Sequence, residues 1–472
     1  MTIISAAVVG ACSCFLLLAL SSACVSRAAA AAPGCERRRT AEGTTAGMED
    51  AERETLFLVM EAVSSDRDWR VSNPDPCAPG SSWPGIECTG GEDGRFHVTR
   101  LDFGTPLNPT CKKAATFPSR IFSLPYLQSA FFFDCFRSHN TSLSIPPVLT
   151  TALQQLSLKS NPALTGSIPP QISSLRSLQV LTLSQNRLQG SIPESISSLT
   201  SLVHLDLSYN SLSGLIPSEL MSGLRNLAGL DLSYNSLSGP IPASIGKMGS
   251  LQKLDLSSNS LTGAIPDSLQ NLGALSFVAL SSNKLKGPLP AGLPKLGNLQ
   301  YFIMDDNPMA IELPSQLGRL EKLQELRLAN SGYWGPIPET FSRLANLTTL
   351  SLQNNRLTGS IPPGLGDLRR MYHLNLSRNM LRGVVPFDAA FLRRLGRNLD
   401  LSENAGLCVN SSVDTESTKL GVGMCGGDSH QNTSTMLQQQ QQQQQTTSGA
   451  GGGAGPPVLL PAMWGLCRLL LF

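Results

Sequence analysis

A repeat of 24 residues, occasionally 25, occupies the middle of this chain and constrains its fold more than any other feature. The clearest units share their leucines, one asparagine, one glycine and an Ile-Pro pair, and they begin at Leu178, Leu202, Leu227, Leu251 and Leu347. Further copies begin at Leu127, Leu153, Leu275, Leu299, Leu323 and Met371, with a degenerate copy at Val98 and a truncated one at Leu399 to Leu401. A fixed period of this length is typical of solenoids, so we predict twelve to thirteen stacked units over residues 98–407.

The residues of one unit predict its local structure. Leu-x-Leu alternates apolar and polar positions, which indicates a short strand with one buried face. The glycine suits a bend that most residues avoid, and Ile-Pro begins an extended segment. One unit cannot bury enough apolar surface to fold alone, so we expect a solenoid with a parallel sheet on its concave side and a cap at each end. An asparagine follows each strand, and we predict a ladder of amide bonds to neighbouring backbone from Asn186, Asn210, Asn235, Asn259, Asn283, Asn355 and Asn379.

Cysteines flank the repeats and are absent from the middle of them. Six of the eleven surround the repeat region, which favours local disulfides in an exported protein. We propose the pairs Cys77–Cys88, Cys111–Cys135 and Cys408–Cys425, although the spacing leaves the connectivity open. Zinc binding is disfavoured because no C-x₂-C pair has histidines nearby. Cys35 is left over.

The two ends of the chain have targeting-type compositions. Residues 5–24 are apolar or small, which predicts a signal peptide over 1–32; an N-terminal membrane helix is the alternative, because no Lys or Arg precedes the segment. A linker and N-terminal cap then occupy 33–97, and a C-terminal cap 408–428. Residues 429–457 form a Gln- and Gly-rich stalk expected to be disordered. The apolar tail 458–472 is typical of a glycosylphosphatidylinositol (GPI) signal, with Ser448, Gly449 and Ala450 as candidate attachment residues. Arg468 argues against a GPI signal, and the alternative is an amphipathic or unstructured tail on a secreted protein.

The motif LxxLxLxxNxLxGxIPxxLxxL resembles that of plant extracellular leucine-rich repeats. The lead-in from Trp69 through Cys77 to Cys88 is similar to that family's N-terminal cap, and residues 404–408 (NAGLC) are similar to its C-terminal cap. Residues 131–136 (FFFDCF) and 379–400 look like the receptor-like protein 29 subgroup. The resemblance implies an α/β-type repeat solenoid, a curved leucine-rich-repeat superhelix with disulfide-stapled caps. It also implies a cell-surface recognition protein without a kinase.

No pattern in the chain indicates catalysis. The 36 Lys and Arg residues nearly balance 34 Asp and Glu, which argues against a nucleic-acid binder. The five histidines are scattered, and the Gly-rich tail lacks the lysine of a phosphate loop. Asp305 and Asp306 are adjacent, but both fall on positions that we expect to be exposed after the strand. We therefore predict no enzyme, no cofactor and no metal.

The predicted partner surface lies where the repeat departs from its pattern. Most outward positions beside Leu-x-Leu carry small polar residues, whereas the units at Leu299 and Leu323 lose the glycine and the asparagine, respectively. Aromatic residues and arginine are frequent at binding hot spots. The alternatives are drift of the repeat, Arg327 pairing with Asp305, and Trp334 filling the core. The candidate concave patch is Tyr301, Ile303, Asp305, Asp306, Glu325, Arg327 and Asn330.

Five N-x-S/T sequons predict glycosylation, at Asn140, Asn346, Asn375, Asn410 and Asn432. Asn375 lies between two leucines of a strand, so we expect it to point outward on the concave side. A glycan there would keep partners off the last full repeat and confine binding to the middle units.

Three functions fit these observations. The first is a GPI-anchored recognition protein on the outer plasma membrane, which binds a peptide, a glycan or another ectodomain and signals through a partner kinase in growth or defence. The second is a secreted cell-wall inhibitor of the polygalacturonase-inhibitor type. The third is a structural wall glycoprotein.

Overall fold

The computed structural model describes residues 47–64, 68–78, 85–105, 108–147, 151–410 and 421–425. The predicted signal peptide, stalk and apolar tail lie outside the described residues, as do Cys35, Trp83, Asn432 and the attachment candidates Ser448, Gly449 and Ala450.

A long sheet of fourteen strands runs through the repeat region. The first strand pairs antiparallel with the second, and the other pairings are parallel, so thirteen parallel strands match the upper predicted number of units. Leucines of neighbouring units lie in register, as where Leu254 pairs with Leu230 and Val278. The strands are Ile86–Gly90, Phe96–Phe103, Ser129–Phe133, Gln155–Lys159, Val180–Thr182, His204–Asp206, Gly229–Asp231, Lys253–Asp255, Phe277–Ala279, Tyr301–Ile303, Glu325–Arg327, Thr349–Ser351, His373–Asn375 and Leu399–Asp400.

A second set of parallel strands, which the sequence analysis did not anticipate, is formed by the segment around each repeat glycine. Glycines there adopt the left-handed region, for example Gly190 at φ +82° and Gly263 at φ +78°. Six strands form one sheet and two form another: Thr165–Gly166, Arg187–Gly190, Ser211–Leu215, Ser236–Pro240, Ser260–Gly263 and Lys284–Leu285, then Trp334–Pro336 and Arg356–Thr358. The break coincides with Ile311, which replaces the glycine and, being β-branched, is strongly disfavoured at a positive φ.

The third segment of each unit is a short helix that follows the Ile-Pro pair. The proline caps the turn without needing its missing N–H, as Pro193 does at φ −71°. Nine of these turns are 3₁₀ helices: Ser119–Ser123, Pro170–Ser174, Glu194–Ser198, Ala243–Lys247, Asp267–Asn271, Leu293–Lys295, Ser315–Arg319, Glu339–Arg343 and Pro363–Leu365; a further 3₁₀ helix, Gly396–Asn398, directly follows the helix Ala389–Leu395. One unit has an α-helical turn instead, Ser218–Gly223.

The predicted asparagine ladder is present and joins neighbouring units. The Asn259 Nδ2 donates to the carbonyl oxygen of Leu232 at 3.0 Å, and its Oδ1 accepts from the backbone N–H of Leu237 at 3.0 Å. The same two bonds recur at Asn210, Asn235, Asn283, Asn307, Asn355, Asn379 and Asn404. The residue before each ladder asparagine is often left-handed, as Ser258 is at φ +55°. Each asparagine thus satisfies backbone groups that a tight bend would leave unpaired.

Both ends of the solenoid are capped as the cysteines predicted. Helices Asp50–Val63 and Trp69–Ser72 cover the first strands, and the disulfides Cys77–Cys88 and Cys111–Cys135 close this end. The C-terminal cap contains helix Ala389–Leu395 and a three-stranded sheet of Arg382–Val384, Gly406–Val409 and Gly423–Met424. Cys408–Cys425 joins its last two strands, so all three proposed pairings are confirmed.

Candidate functional site: the outer face of the long sheet

The solvent-facing side of the long sheet is built by alternation within each strand. In Tyr301–Ile303 the central Phe302 is fully buried, and its two neighbours are half-buried on the outer face. Because neighbouring strands are in register, the outward residues form columns that run across the units. A partner of this face would therefore contact several units at equivalent positions.

Four of the seven residues predicted to bind a partner lie together on this face. Tyr301 is paired in register with Glu325, and Ile303 with Arg327. The Tyr301 hydroxyl donates to Gln324 Oε1 at 3.3 Å, and its ring centroid lies 5.9 Å from that of Phe277. The four residues, which we call the strand-pair patch, combine an aromatic ring, an aliphatic side chain and two opposite charges.

Asp305 is buried, which corrects the expectation that it is exposed. It is only 5 % accessible, and its two carboxylate oxygens accept from Arg327 Nε at 2.8 Å and from the backbone N–H of Ala329 at 2.7 Å. Burial raises the pKa of Asp305, and the contacts with Arg327 and Ala329 oppose that rise. The alternative in which Arg327 pairs with Asp305 is therefore the observed one, and Asp305 positions Arg327 instead of meeting a partner.

Asp306 and Asn330 lie beside the face, at the residue that precedes the ladder position of each unit. Both are exposed and left-handed, at φ +60° and +54°. The Asn330 Nδ2 donates to Asp306 Oδ1 at 2.9 Å, and Asn354 Nδ2 donates to Asn330 Oδ1 at 2.7 Å. They form a polar row along the edge of the strand-pair patch.

The suggestion that Trp334 fills the core is wrong, and Tyr333 fills it instead. Tyr333 occupies the position of the repeat leucine and is fully buried, whereas Trp334 is 48 % exposed in the second set of strands. Ser331 replaces the ladder asparagine, and Asn355 Oδ1 accepts from the backbone N–H of both Ser331 and Tyr333, at 3.2 and 2.9 Å. The altered unit thus keeps its ladder contact through the next unit.

An acidic column in the middle of the sheet was missed by the sequence analysis. Asp206, Asp231 and Asp255 lie in register on three consecutive strands. Burial, followed by the charges of Asp255 and Asp206, raises the pKa of Asp231 to about 7. Lys253 Nζ lies 3.9 Å from an oxygen of Asp231. The sequence LDLS occurs in three consecutive units, but only the register of the strands shows that its aspartates are neighbours on the outer face.

Each of these aspartates also has a local structural role. Asp206 Oδ1 accepts from the backbone N–H and the hydroxyl of Ser208, at 2.9 and 2.6 Å, and Asp231 does the same with Ser233. Asp255 Oδ1 accepts from the backbone N–H of Ser257 at 3.0 Å. The column therefore stabilises the turns after the strands while it contributes negative charge to the outer face.

Two stacked tyrosines lie beside the acidic column. The rings of Tyr209 and Tyr234 are parallel within 10°, with centroids 4.0 Å apart, and they are 46 % and 44 % exposed. Both residues are left-handed at φ +53°, and each follows a column aspartate by three positions.

The sequons occupy different parts of the surface. Asn140 and Asn410 are exposed, whereas Asn346 is half-buried and its Nδ2 donates to the carbonyl oxygen of Glu321 at 2.8 Å. Asn375 is half-buried and lies on the outer face as expected, in register with Ser351 and Asp400. Its Oδ1 accepts from the hydroxyl of Ser377 at 2.7 Å.

Within the described ranges, no group of three or more His, Cys, Asp or Glu side chains is arranged to hold a metal ion. The same residues contain no helix that is long and apolar enough to cross a membrane.

Comparison with known proteins identifies the repeat. Residues 151–212, 214–261 and 321–381 match the family described as "Leucine rich repeat". Together with the stacked units and the asparagine ladder, this match decides the assignment. The chain contains leucine-rich repeats. It is 59 % identical over 155 residues to "Receptor like protein 29" of Arabidopsis thaliana, which confirms the predicted resemblance.

Two more comparisons support this leucine-rich-repeat assignment. The chain is 36 % identical over 138 residues to "Protein TOO MANY MOUTHS" of Arabidopsis thaliana. The solved structure of PEPR1-AtPEP1 superposes with a TM-score of 0.62 at 31 % identity, over 77 % of this chain and 49 % of that one. The aligned parts amount to 32 % and 28 % of this chain, and they span 33 % of Receptor like protein 29 and 27 % of TOO MANY MOUTHS.

Proposed function

We propose that this protein is a receptor-like recognition protein whose outer sheet face binds an extracellular peptide, glycan or partner ectodomain and which signals through a partner kinase. Its resemblance to Receptor like protein 29 and its superposition on PEPR1-AtPEP1 support this role. We place it in the secretory pathway, at the outer face of the plasma membrane through a GPI anchor or in the cell wall. Its pathway would be one of growth or defence.

One observation carries the proposal of a binding surface, and this is the strand-pair patch. Tyr301, Ile303, Glu325 and Arg327 stand in register on two adjacent strands, so that an aromatic ring, an aliphatic side chain and two opposite charges meet on the outer face. Asp305 Oδ2 accepts from Arg327 Nε at 2.8 Å. This bond restricts the Arg327 side chain before a partner binds, so less conformational entropy is lost on binding. Such a preorganised cluster of aromatic residue and arginine is typical of a binding hot spot.

Glycosylation would bound this surface on one side. Asn375 lies on the outer face two strands beyond Glu325–Arg327. A glycan on Asn375 would cover the C-terminal units and leave the strand-pair patch and the acidic column as the open part of the face. Peptide mapping that finds Asn375 unmodified would remove this boundary.

The alternative functions predict different behaviour. A secreted inhibitor of the polygalacturonase-inhibitor type would use the same face to block an enzyme. A structural wall glycoprotein needs no localised patch, so changes in the strand-pair patch would leave its wall association unaltered.

The test compares two double variants of the full chain expressed in plant cells. Tyr301→Ala/Arg327→Ala removes the centre of the patch, and Ser157→Ala/Thr182→Ala changes outward positions of other units as a matched control. Each purified protein is assayed against immobilised synthetic secreted peptides, cell-wall oligosaccharides and a purified polygalacturonase. Binding of a peptide or oligosaccharide that is lost only in the patch variant supports the proposal. Inhibition of polygalacturonase favours the inhibitor function, and equal binding by both variants contradicts a role for the patch.

Anchoring is tested separately on the same cells. Phosphatidylinositol-specific phospholipase C should release the protein from isolated membranes if a lipid anchor holds it. Protein found only in the medium or the wall fraction would contradict the anchor.

A further inference from the structure

A buried ionic cluster lies beneath the first helix of the N-terminal cap. His97 belongs to the strand Phe96–Phe103 and is 2 % exposed. Its Nδ1 lies 2.8 Å from Glu52 Oε2, on the helix Asp50–Val63, and its Nε2 lies 3.1 Å from Asp93 Oδ1. The cluster therefore joins the helix, the turn before the strand and the strand itself.

The geometry of the ring determines its protonation. A neutral imidazole has one N–H and one lone pair, so it can donate to only one of two carboxylates. If the neutral ring donates to Asp93, whose side chain is 43 % exposed, the buried Glu52 faces the lone pair of the ring; if it donates to Glu52, Asp93 loses this donor but stays partly open to solvent. The imidazolium has two N–H groups and satisfies Glu52 and Asp93 together, so the observed contacts are those of protonated His97.

The groups around His97 reinforce this state. Glu52 Oε1 also accepts from the backbone N–H of Val98 at 3.0 Å, which fixes the carboxylate in place. Arg95, two residues before His97, lies 4.0 Å from Glu49, and the ring of Tyr126 stacks on His97 with centroids 3.6 Å apart. Burial by itself would lower the pKa of His97, but the contacts with Glu52 and Asp93 outweigh it and raise the pKa above the ordinary 6.5.

We propose that His97 is a proton-dependent latch that holds the N-terminal helix Asp50–Val63 on the long sheet. Protonated, it links the helix to the strand through Glu52. When it loses the proton, the charge-assisted contact with the buried Glu52 weakens, and the helix is then held by the bond between Glu52 and the Val98 N–H and by its apolar face, which includes the buried Leu56 and Met60. Loss of the proton thus loosens the cap without detaching it.

The sign of the pH dependence follows from linkage. A histidine whose pKa is raised in the folded state contributes its full stabilisation below the pKa of the unfolded chain. That contribution is lost as the pH rises through the higher pKa of the folded state. The cap is therefore tightest under acidic conditions and loosens in the alkaline direction.

Hydrogen exchange measured by mass spectrometry on the full chain tests the latch. Protection factors, which already remove the intrinsic effect of pH on exchange, are measured for peptides of helix Asp50–Val63 at about pH 5.5 and about pH 8.5. We expect protection in the wild type to fall several-fold across this interval. In His97→Gln it should be low and nearly independent of pH, while exposed His139→Gln should behave as the wild type does.

A second variant keeps the proposal testable if His97→Gln fails to fold. Glu52→Gln retains an oxygen that can accept from the Val98 N–H but removes the negative charge beside His97. The pKa of His97, measured by hydrogen–deuterium exchange at C2 of its ring, should therefore be lower than in the wild type. If the protection factors of helix Asp50–Val63 in the wild type do not change with pH, the latch is overturned. An unchanged His97 titration in Glu52→Gln would overturn it as well.

Discussion

The asparagine ladder can be tested at one of its buried members, Asn283. This side chain is 7 % exposed. Its Oδ1 accepts from the backbone N–H of Leu261 at 3.0 Å, and its Nδ2 donates to the carbonyl oxygen of Leu256 at 2.9 Å. Both partners belong to the preceding unit, so the side chain connects two units.

The substitution Asn283→Ala removes these bonds without adding bulk. It removes the side-chain acceptor of the buried Leu261 N–H, which costs about 1–3 kcal/mol, while the Leu256 carbonyl keeps a bond from Asn259 Nδ2 at 3.2 Å. The matched control is Asn298→Ala, because Asn298 also bonds a carbonyl of a neighbouring unit, that of Gly273 at 2.8 Å, but does so at the exposed surface. Water replaces that bond, so we expect a cost of at most about 1 kcal/mol.

The assay is urea unfolding followed by far-UV circular dichroism, with hydrogen exchange of the peptides around Leu256 and Leu261. Exchange is included because a repeat array can lose cooperativity, in which case one free energy does not describe it. Asn283→Ala should shift the midpoint far more than Asn298→Ala and should raise exchange in the unit before the substitution. Equal and small shifts for the two variants would refute the view that the ladder is a main connection between units.

Two further predictions concern buried polar groups. The Tyr333 hydroxyl has no hydrogen-bond partner among the described residues, so Tyr333→Phe should leave thermal stability unchanged or raise it by about 1 kcal/mol, and a clear loss would reveal a partner of that hydroxyl. The pKa of Asp231 is raised to about 7 in the folded protein. Its protonated carboxyl group therefore contributes to the free energy of unfolding below the ordinary pKa of aspartate, and this contribution is lost as the pH rises towards 7. Asp231→Asn should therefore reduce the decline of the thermal midpoint between about pH 4 and pH 7, and an unchanged decline would contradict shared charge in the acidic column.

The repeat determined most of the architecture from the sequence alone. Leu-x-Leu, the ladder asparagine and Ile-Pro recur at a fixed spacing in each unit, so they predicted strands, bends and stacking, and the observed ladder at Asn259 follows that prediction. The cysteine pairs were also predicted, because each pair is close in sequence and lies within a cap. The second set of strands was not predicted, since its pairing depends on the alignment of neighbouring glycine bends.

Tertiary structure alone decided the character of the binding surface. The repeat register placed Asp305 after a strand, but only the approach of Arg327 and Ala329 from the next unit makes it buried. Likewise, Asp206 and Asp231 lie a full unit apart in sequence and become neighbours only when the strands align. Tyr333 and Trp334 are adjacent, and which of them enters the core depends on which reaches the vacant leucine position. The repeated pattern of each unit predicts its strands and bends, whereas the burial, charge and pKa of a side chain depend on the residues that the adjoining unit brings next to it.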